Sequence, residues 1–302
     1  MTTTSPAATS GNRIDTGIRP FRPFSSLVRL DVSARSHPGH LRQNNEDQFF
    51  VTRMSRALDT MLSSLPPGDV PERAEEVSYV MVVADGMGGH AAGEIASRLA
   101  ISSVINLALE IPDWTFKLTG DAAVEVERRA RDIVQQVNSI LYERGRQDAE
   151  LRGMGSTLTA ARSLGRDLVV VHVGDSRAYL FRAGQLHRLT RDHTYAQMLV
   201  DCGRLDPNEI ASSGVRHVLT NALGGSTEHV DVDVDLLCLE NGDRLLLCSD
   251  GLTDLVDDET IAGTLAAAPE SDEACSRLVQ LALDRGGRDN VTTIVAGFSF
   301  PD

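Results

Sequence analysis

Long hydrophobic segments and clustered cysteines are both missing from this chain of 302 residues. No uninterrupted apolar stretch reaches the roughly 20 residues that a membrane-spanning helix needs, and no signal-peptide pattern is found. The four cysteines are scattered, and Cys238 and Cys248 lie in apolar runs, which predicts buried free thiols. These absences predict a cytoplasmic protein that does not associate with a membrane.

Positive charge is also scarce, because 29 Lys and Arg residues stand against 43 Asp and Glu residues, a net charge of −14. Nucleic acids and anionic membranes repel such a chain, so neither is expected as a partner. Histidine and cysteine do not occur together at zinc-ligand spacing. The hydrophobic content of 41% is ample for the core of one sizeable domain.

Asp85 follows the apolar run 79–84 and precedes the glycine-rich turn 86–89. The run is short, continuous and rich in β-branched residues, which indicates a strand that is buried on both faces. The glycines allow a close backbone approach, so a cation could contact the Asp85 carboxylate and a main-chain carbonyl together. A single Asp-Gly pair, however, is more often a turn than a metal site.

Further acidic residues stand at the ends of other strand-like segments, each beside Gly, Ser or Asn. Any one of them alone could be a turn or cap residue. Together they favour a metal site, because carboxylates gathered at one end of a sheet repel one another unless cations neutralise them. Oxygen ligands favour Mg²⁺ or Mn²⁺ over zinc. The residues are Asp175, Asp250, Asp289 and the pair Glu46 and Asp47, which Arg42 precedes.

Helix-like segments flank a strand-rich middle, which favours an α+β layered domain. Residues 1–28 lack periodicity and are predicted to be a disordered tail. Residues 52–77 are interpreted as an insertion, and its front part, 53–65, could form a short helix. Strict alternation over 230–236 predicts a half-exposed strand, so its three aspartates are left out of the site. Apolar spacing predicts helices over 91–110, 122–146, 258–267 and 271–284.

Six segments resemble, in their order, the motifs of the metal-dependent protein serine/threonine phosphatases, the PP2C-like family, in its compact bacterial form. The resemblance covers about residues 30–300 and implies two antiparallel sheets packed as a sandwich, with helix pairs on both outer faces. It places a single phosphatase domain over 29–302, with a flap at about 194–215. The matching segments are 39–47, 84–90, 153–159, 173–177, 247–252 and 287–292.

The resemblance implies hydrolysis of phosphoserine and phosphothreonine on proteins by a hydroxide that bridges two Mg²⁺ or Mn²⁺ ions. Glu46 and Asp47 would orient bound waters, and Arg42 would clamp the phosphate with its planar fork. No serine with an adjacent base is apparent, so water is the expected nucleophile. The implied metal ligands are Asp85, which bridges both ions, the Gly86 carbonyl, Asp250 and Asp289.

The sequence departs from the family pattern at several positions. Met87 stands where animal members have a histidine, a proposed general acid, and His90 is expected to cap or pack a helix instead. A metal-bound water is then the expected proton donor. Bacterial members often bind a third, weaker metal through the aspartates that match Asp175 and Asp250. His217 either joins that site and favours Mn²⁺ or, as we prefer, lies in solvent.

Phosphorylated proteins are the implied partners, and the enzyme is expected to be a monomer that opposes serine/threonine kinases. A dedicated enzyme of an anti-sigma or secretion pathway and a broad kinase antagonist both fit the sequence. An alternative is a catalytically weak regulatory or binding member of the same fold. Such a member would typically have lost one of the metal aspartates, whereas this chain has them all. Ser156, in place of the more usual threonine, is predicted to be structural.

Overall fold

Two antiparallel sheets form the middle of the structure, a computed structural model that describes residues 28–88, 92–110 and 121–300. The predicted tail, except Val28, and His90 lie outside these ranges. In spatial order, the first sheet consists of β1 (Arg29–His37), β12 (Val291–Ser299), β11 (Arg244–Cys248), β7 (Arg177–Arg182) and β8 (Gln185–Arg188). The second consists of β10 (Asp233–Cys238), β6 (Asp167–Val173), β5 (Leu158–Leu164), β3 (Arg73–Met87), β4 (Gly155–Ser156) and β9 (Leu223–Gly224), and β2 (Asp47–Asp59) also pairs with β3.

Helices cover the outer face of each sheet, which confirms the predicted four-layer sandwich and the four predicted helices. The second sheet is covered by α1 (Ala92–Glu110) and α2 (Asp121–Gln147). The first sheet is covered by α5 (Asp258–Ala267) and α6 (Ser271–Asp284). Two short helices, α3 (Tyr195–Asp201) and α4 (Asp250–Thr253), lie in the connections.

The strand β3 shows why the apolar runs of this sequence are continuous rather than alternating. Its Val80, Val82 and Ala84 pack with the helices α1 and α2. Its Met81 and Val83 point the other way and pack with the first sheet. Because both faces of the strand are buried over 80–84, every position in that stretch is apolar until Asp85.

The insertion at 52–77 is the outer part of the β2–β3 hairpin, and the helix predicted over 53–65 is wrong. Strand β2 continues to Asp59, which pairs with Arg73. Arg53 also forms an ion pair with Glu75 on the opposite strand, at 2.5 Å. The ladder of hydrogen bonds to β3 holds the residues up to Asp59 as a strand, and local sequence cannot reveal such pairing.

The four cysteines are free, but the prediction that Cys238 is buried is wrong. Cys238 is the last residue of β10, the edge strand of the second sheet, and is therefore exposed. Cys248 and Cys275 are buried, and burial raises the pKa of the Cys248 thiol to about 12. Such a thiol stays protonated at neutral pH and behaves as a small apolar side chain.

Helix α1 is the one helix among the described residues that is long and apolar enough to cross a membrane, by length and composition only. Here the helix packs on β3 and α2. Its Ala92, Ala96 and Ala100 belong to the core between the helices and the second sheet. These small side chains let the helix axis lie close to the strands.

A histidine, His172, is buried in the second sheet at 1% exposure. Its Nδ1 lies 2.9 Å from the Thr159 hydroxyl, and its Nε2 lies 3.0 Å from the Arg191 carbonyl oxygen. Burial lowers the pKa of His172 to about 4, and the neighbouring His193 contributes to that shift. The ring is therefore neutral at pH 7, with Nε2 donating to the carbonyl.

We expect the folded state to lose about 3 kcal/mol of stability from His172 as the pH falls from 6.5 towards 4. The unfolded chain takes up a proton near pH 6.5, whereas the folded chain does not, so the contribution is complete only above that pH. Urea unfolding between pH 7.5 and 4 would measure it. The His172→Gln variant should lose this part of the pH dependence, and an identical slope in both proteins would contradict the assignment.

Candidate metal centre

Asp47 and Asp85 lie directly opposite each other on the neighbouring strands β2 and β3. Asp47 is 2% exposed, and Asp85 lines a cleft of about 1050 Å³ at one end of the sandwich. Burial raises the pKa of Asp47 to about 7 and raises the pKa of Asp85 well above its ordinary value. Like charges directly opposed on a sheet are destabilising, so this pair favours a bound cation.

Asp250 and Asp289 enter the same cleft from the first sheet. Asp250 begins α4 two residues after the end of β11, and Asp289 stands two residues before β12, the neighbour of β11. The charges of both residues contribute to the raised pKa of Asp85. The structure therefore brings the predicted metal aspartates together at the ends of strands from both sheets.

Glycine permits this convergence at two positions. A Cβ atom on Gly251 would lie 1.9 Å from the carbonyl oxygen of Asn290, which follows Asp289. A Cβ atom on Gly86 would lie 1.9 Å from the carbonyl oxygen of Gly93 in α1. No side chain fits at either place, so the two glycines set how closely the acidic strand ends approach their neighbours.

Only one of the two oxygens of the Asp47 carboxylate accepts a hydrogen bond from the described residues. The Ser249 hydroxyl donates to its Oδ2 at 2.6 Å and accepts from the Thr292 backbone N–H at 3.0 Å. The other oxygen, Oδ1, is buried and has no hydrogen-bond partner among the described residues. A buried carboxylate oxygen without a donor is the kind of atom that a cation or a cation-bound water satisfies.

The main chain at Asp85 is fixed by residues of the segment 155–157. The Asp85 N–H donates to the Thr157 hydroxyl at 2.9 Å, and the Asp85 carbonyl accepts from the Thr157 N–H at 2.8 Å. The Ser156 hydroxyl donates to the same carbonyl at 3.1 Å, which agrees with its predicted structural role. Met87 lies against Gly155, because a Cβ atom there would meet the Met87 Cε at 2.6 Å. These contacts leave the Asp85 carboxylate facing the cleft.

Glu46 lies against the first turn of α1. A Cβ atom on Gly93 would be 2.6 Å from the Glu46 carboxyl carbon, so only glycine fits beneath it. The Glu46 carbonyl accepts from the Ser97 hydroxyl at 2.6 Å and from the Gly86 N–H at 3.2 Å. Burial raises the pKa of the Glu46 carboxyl, and the charge of Arg42 opposes that shift.

Arg42 and Asp289, predicted as phosphate clamp and metal ligand, contact each other directly. The Arg42 Nη2 donates to Asp289 Oδ2 at 2.6 Å. The Arg42 side chain remains 55% exposed at the cleft, so part of its guanidinium is free to contact a ligand. The ion pair raises the pKa of Arg42, which therefore stays charged.

Asn290 is a site residue whose role was not foreseen from the sequence. Its Oδ1 accepts from the Glu46 N–H at 2.8 Å, and its Nδ2 donates to the carbonyls of Pro38 and Asn44, each at 2.9 Å. One amide side chain thus fixes the loop that carries Arg42 and Glu46. Its position directly after Asp289, a predicted metal ligand, was the available signal, but the three partners are distant in sequence.

A second unforeseen residue, His193, fixes the loop that carries Asp175. The His193 N–H donates to the Gly174 carbonyl at 2.7 Å, and the Gly174 N–H donates to His193 Nδ1 at 3.2 Å. His193 Nε2 contacts Asp233 Oδ2 at 3.0 Å. Asp175 itself is 9% exposed and lines the cleft, and burial raises its pKa well above the ordinary value.

His217 is exposed to solvent, as expected, and also lies between two carboxylates of the cleft. Its Nδ1 is 3.6 Å from Asp250 Oδ2, and its Nε2 is 3.3 Å from Asp254 Oδ2. One ligand atom from each of these three residues lies within 4.8 Å of the others. The neighbouring carboxylates of Asp250 and Asp254 raise the pKa of His217. Asp254, four residues after Asp250 on the same helical turn, was missed, and Asp175 is not part of this close group.

Comparison with known proteins agrees with the geometry. The model of the family described as protein phosphatase 2C matches residues 71–283. The serine/threonine protein phosphatase PstP of Mycobacterium tuberculosis (strain CDC 1551 / Oshkosh) is 39% identical over 267 residues. That alignment covers 88% of this chain and 45% of PstP, so the chain spans slightly less than half of that relative.

A second relative and a solved catalytic domain are each covered over nearly their whole length. The serine/threonine phosphatase stp of Listeria welshimeri is 33% identical, and the alignment covers 88% of this chain and 95% of the relative. The crystal structure of the catalytic domain of PstP in complex with two manganese ions aligns with a TM-score of 0.70 at 36% identity. That alignment covers 90% of this chain and 99% of the solved one.

We expect Gly251→Ala to destabilise the protein by about 3 kcal/mol, because the new methyl group would collide with the Asn290 carbonyl. Gly263→Ala is the matched control: this glycine lies in α5, and an added Cβ atom would meet nothing within 4 Å, so a gain of up to about 1 kcal/mol is expected. Urea unfolding of both variants would decide. Equal effects would show that the close approach at Gly251 is not a constraint.

Proposed function

The chain belongs to the protein phosphatase 2C family, and on that premise we propose that it is a metal-dependent protein serine/threonine phosphatase. The observation that carries the proposal is the convergence of Asp85, Asp250 and Asp289, from both sheets, on one cleft, with the buried Asp47 directly opposite Asp85 on the neighbouring strand. Carboxylates gathered in this way are a donor set suited to Mg²⁺ or Mn²⁺. The unsatisfied Asp47 Oδ1 supports a cation nearby.

We propose that Asp85, the Gly86 carbonyl, Asp250 and Asp289 hold two divalent cations. When bound, the cations supply Lewis acidity and lower the pKa of a water enough for attack on a phosphomonoester at neutral pH. Glu46 and Asp47 lie beside this set and orient waters through their carboxylates. The hydroxyls of Ser156 and Thr157 hold the Asp85 backbone so that its carboxylate keeps one direction.

Arg42 is the proposed phosphate ligand. Its exposed guanidinium edge can donate two parallel hydrogen bonds to phosphoryl oxygens while the other edge contacts Asp289. Met87 packs on Gly155 and has no proton to give, so we infer that the leaving alkoxide takes its proton from a cleft water. Water activated by the cations makes a serine or cysteine nucleophile unnecessary. Cys248 is unsuited to that role, because its buried thiol has a raised pKa and stays protonated.

We propose a third, weaker cation site where the flap meets α4. His217, Asp250 and Asp254 supply one imidazole and two carboxylates within reach of one ion, and Asp175 lines the same cleft. An imidazole ligand would favour Mn²⁺ over Mg²⁺. The sequence alone favoured a solvent-exposed His217, whereas its contacts with two carboxylates support a role as a ligand.

Phosphorylated proteins are the proposed substrates, and the enzyme would oppose serine/threonine kinases as a cytoplasmic monomer. The names of the relatives, serine/threonine protein phosphatases, support the substrate class. The net charge of −14 supports the expectation that nucleic acid is not a partner. The free cysteines support a reducing compartment.

Asp85→Ala should lower kcat/KM for a phosphothreonine peptide and for an aryl phosphate by at least about 1000-fold, because the proposed bridge between the cations is lost. Assays with Mn²⁺, with Mg²⁺ and with chelator would measure it. Asp235→Ala, which removes an acid of β10 outside the cleft, should keep wild-type activity. Metal-independent hydrolysis by the wild type, or full activity of Asp85→Ala, would reject the mechanism.

His217→Ala should raise the Mn²⁺ concentration for half-maximal activation about tenfold and reduce the number of Mn²⁺ ions bound in equilibrium dialysis. His187→Ala, which alters a histidine on β8 outside the cleft, serves as the control and should leave both unchanged. If the activation curve and the stoichiometry of His217→Ala match the wild type, His217 is not a ligand.

A further inference from the structure

Three arginines line the cleft, and two of them are already paired with carboxylates. Arg42 contacts Asp289, and Arg216 lies 3.5 Å from Asp254. The third, Arg288, is exposed, and its side chain has no ion pair or hydrogen bond with any residue that the structure describes. One guanidinium at the cleft is therefore available for an anion that the protein itself does not supply.

The backbone that carries Arg288 is nevertheless firmly placed. On one side, the Gly287 carbonyl accepts from the His40 N–H at 2.7 Å, and the Gly287 N–H donates to the Ala282 carbonyl at 3.0 Å. On the other side, Asp289 is held by Arg42 and by the Asn290 N–H at 2.8 Å. A fixed backbone limits the loss of backbone entropy when an anion binds to the side chain.

The chemistry of the guanidinium limits the ligand to a carboxylate or a phosphate, which its planar fork matches. Arg288 directly precedes Asp289, a proposed metal ligand, and the Cα atoms of adjacent residues are about 3.8 Å apart. When the phosphate of a substrate residue occupies the metal centre, the Arg288 side chain can therefore reach side chains one or two positions from that residue. The chain is otherwise strongly acidic and repels acidic segments of a substrate. The positive charge of Arg288 would offset that repulsion where such a segment approaches the cleft.

We propose that Arg288 selects phosphoprotein segments that carry a second anionic group, a carboxylate or another phosphate, within about two residues of the scissile phosphate. This proposal rests on the phosphatase function proposed above. It makes Arg288 a specificity-determining residue, whereas Arg42 contacts the phosphate that is removed. Hydrolysis of a small aryl phosphate, which has no flanking residues, does not involve the Arg288 contact.

The experiment compares kcat/KM for four matched substrates of the Mn²⁺-loaded full chain. Three are phosphothreonine peptides flanked by alanine, by aspartate, or by alanine with a second phosphothreonine two residues away; the fourth is an aryl phosphate. The wild type should prefer at least one anionic peptide over the alanine peptide by about threefold to tenfold through KM, and the preference should weaken at high salt. Which peptide is preferred identifies the anion as carboxylate or phosphate.

The variants separate this role from a structural one. Arg288→Ala should abolish the preference, Arg288→Lys should retain part of it, and Arg288→Glu should reverse it. Aryl phosphate hydrolysis and the Mn²⁺ activation curve should change by less than about twofold in each, because the contact is to the flanking residue. Arg29→Glu, at the start of β1, makes the same charge change at an exposed arginine that does not line the cleft and should keep the wild-type preference.

Two results would overturn the proposal while leaving the phosphatase function intact. One is a wild type that hydrolyses all three peptides equally well. The other is an Arg288→Ala variant that loses the same factor on every substrate, the aryl phosphate included. Failure of the wild type to hydrolyse the aryl phosphate with either metal would instead count against the phosphatase function.

Discussion

The opposition of Asp47 and Asp85 costs free energy in the absence of a cation, because two carboxylates face each other across strands and are shielded from water. Other parts of the molecule offset that cost. Three core layers hold the strands in place, and the hydrogen bonds from Ser249 and Thr157 fix the two acidic positions. Burial raises the pKa of both carboxyls, and the negative charges of neighbouring aspartates add to the shift. A cation that binds there relieves the repulsion and stabilises the fold that presents it.

The site is assembled from both sheets, so its geometry depends on how they pack. The second sheet supplies Asp47 and Asp85, while the first supplies Asp250 and Asp289. Asn290 connects the two contributions, since it follows Asp289 and holds the loop before β2 through three backbone groups. Displacement of one sheet against the other would therefore separate the acidic residues before it exposed the core.

Sequence reasoning predicted the parts of this structure that local chemistry determines. Apolar runs ending in an aspartate indicated buried strands, and helix spacing located all four covering helices. The prediction was wrong at 53–65, where pairing with β3 holds the residues up to Asp59 as a strand, and at Cys238, which lies on an edge strand. The roles of Asn290, His193 and Asp254 were missed because their partners are brought close only by the fold. Local sequence carries no record of such distant contacts.

The ion pair between Arg42 and Asp289 would couple the proposed cation site to the proposed phosphate site. While Arg42 Nη2 is bonded to Asp289 Oδ2, the two charges partly neutralise each other and one edge of the guanidinium is occupied. A divalent cation held by Asp289 would compete with the guanidinium for that carboxylate and would leave more of the positive charge of Arg42 for a phosphate. Loading of the cation and binding of the phosphate would then strengthen each other through this one contact, although the two ligands bind different residues.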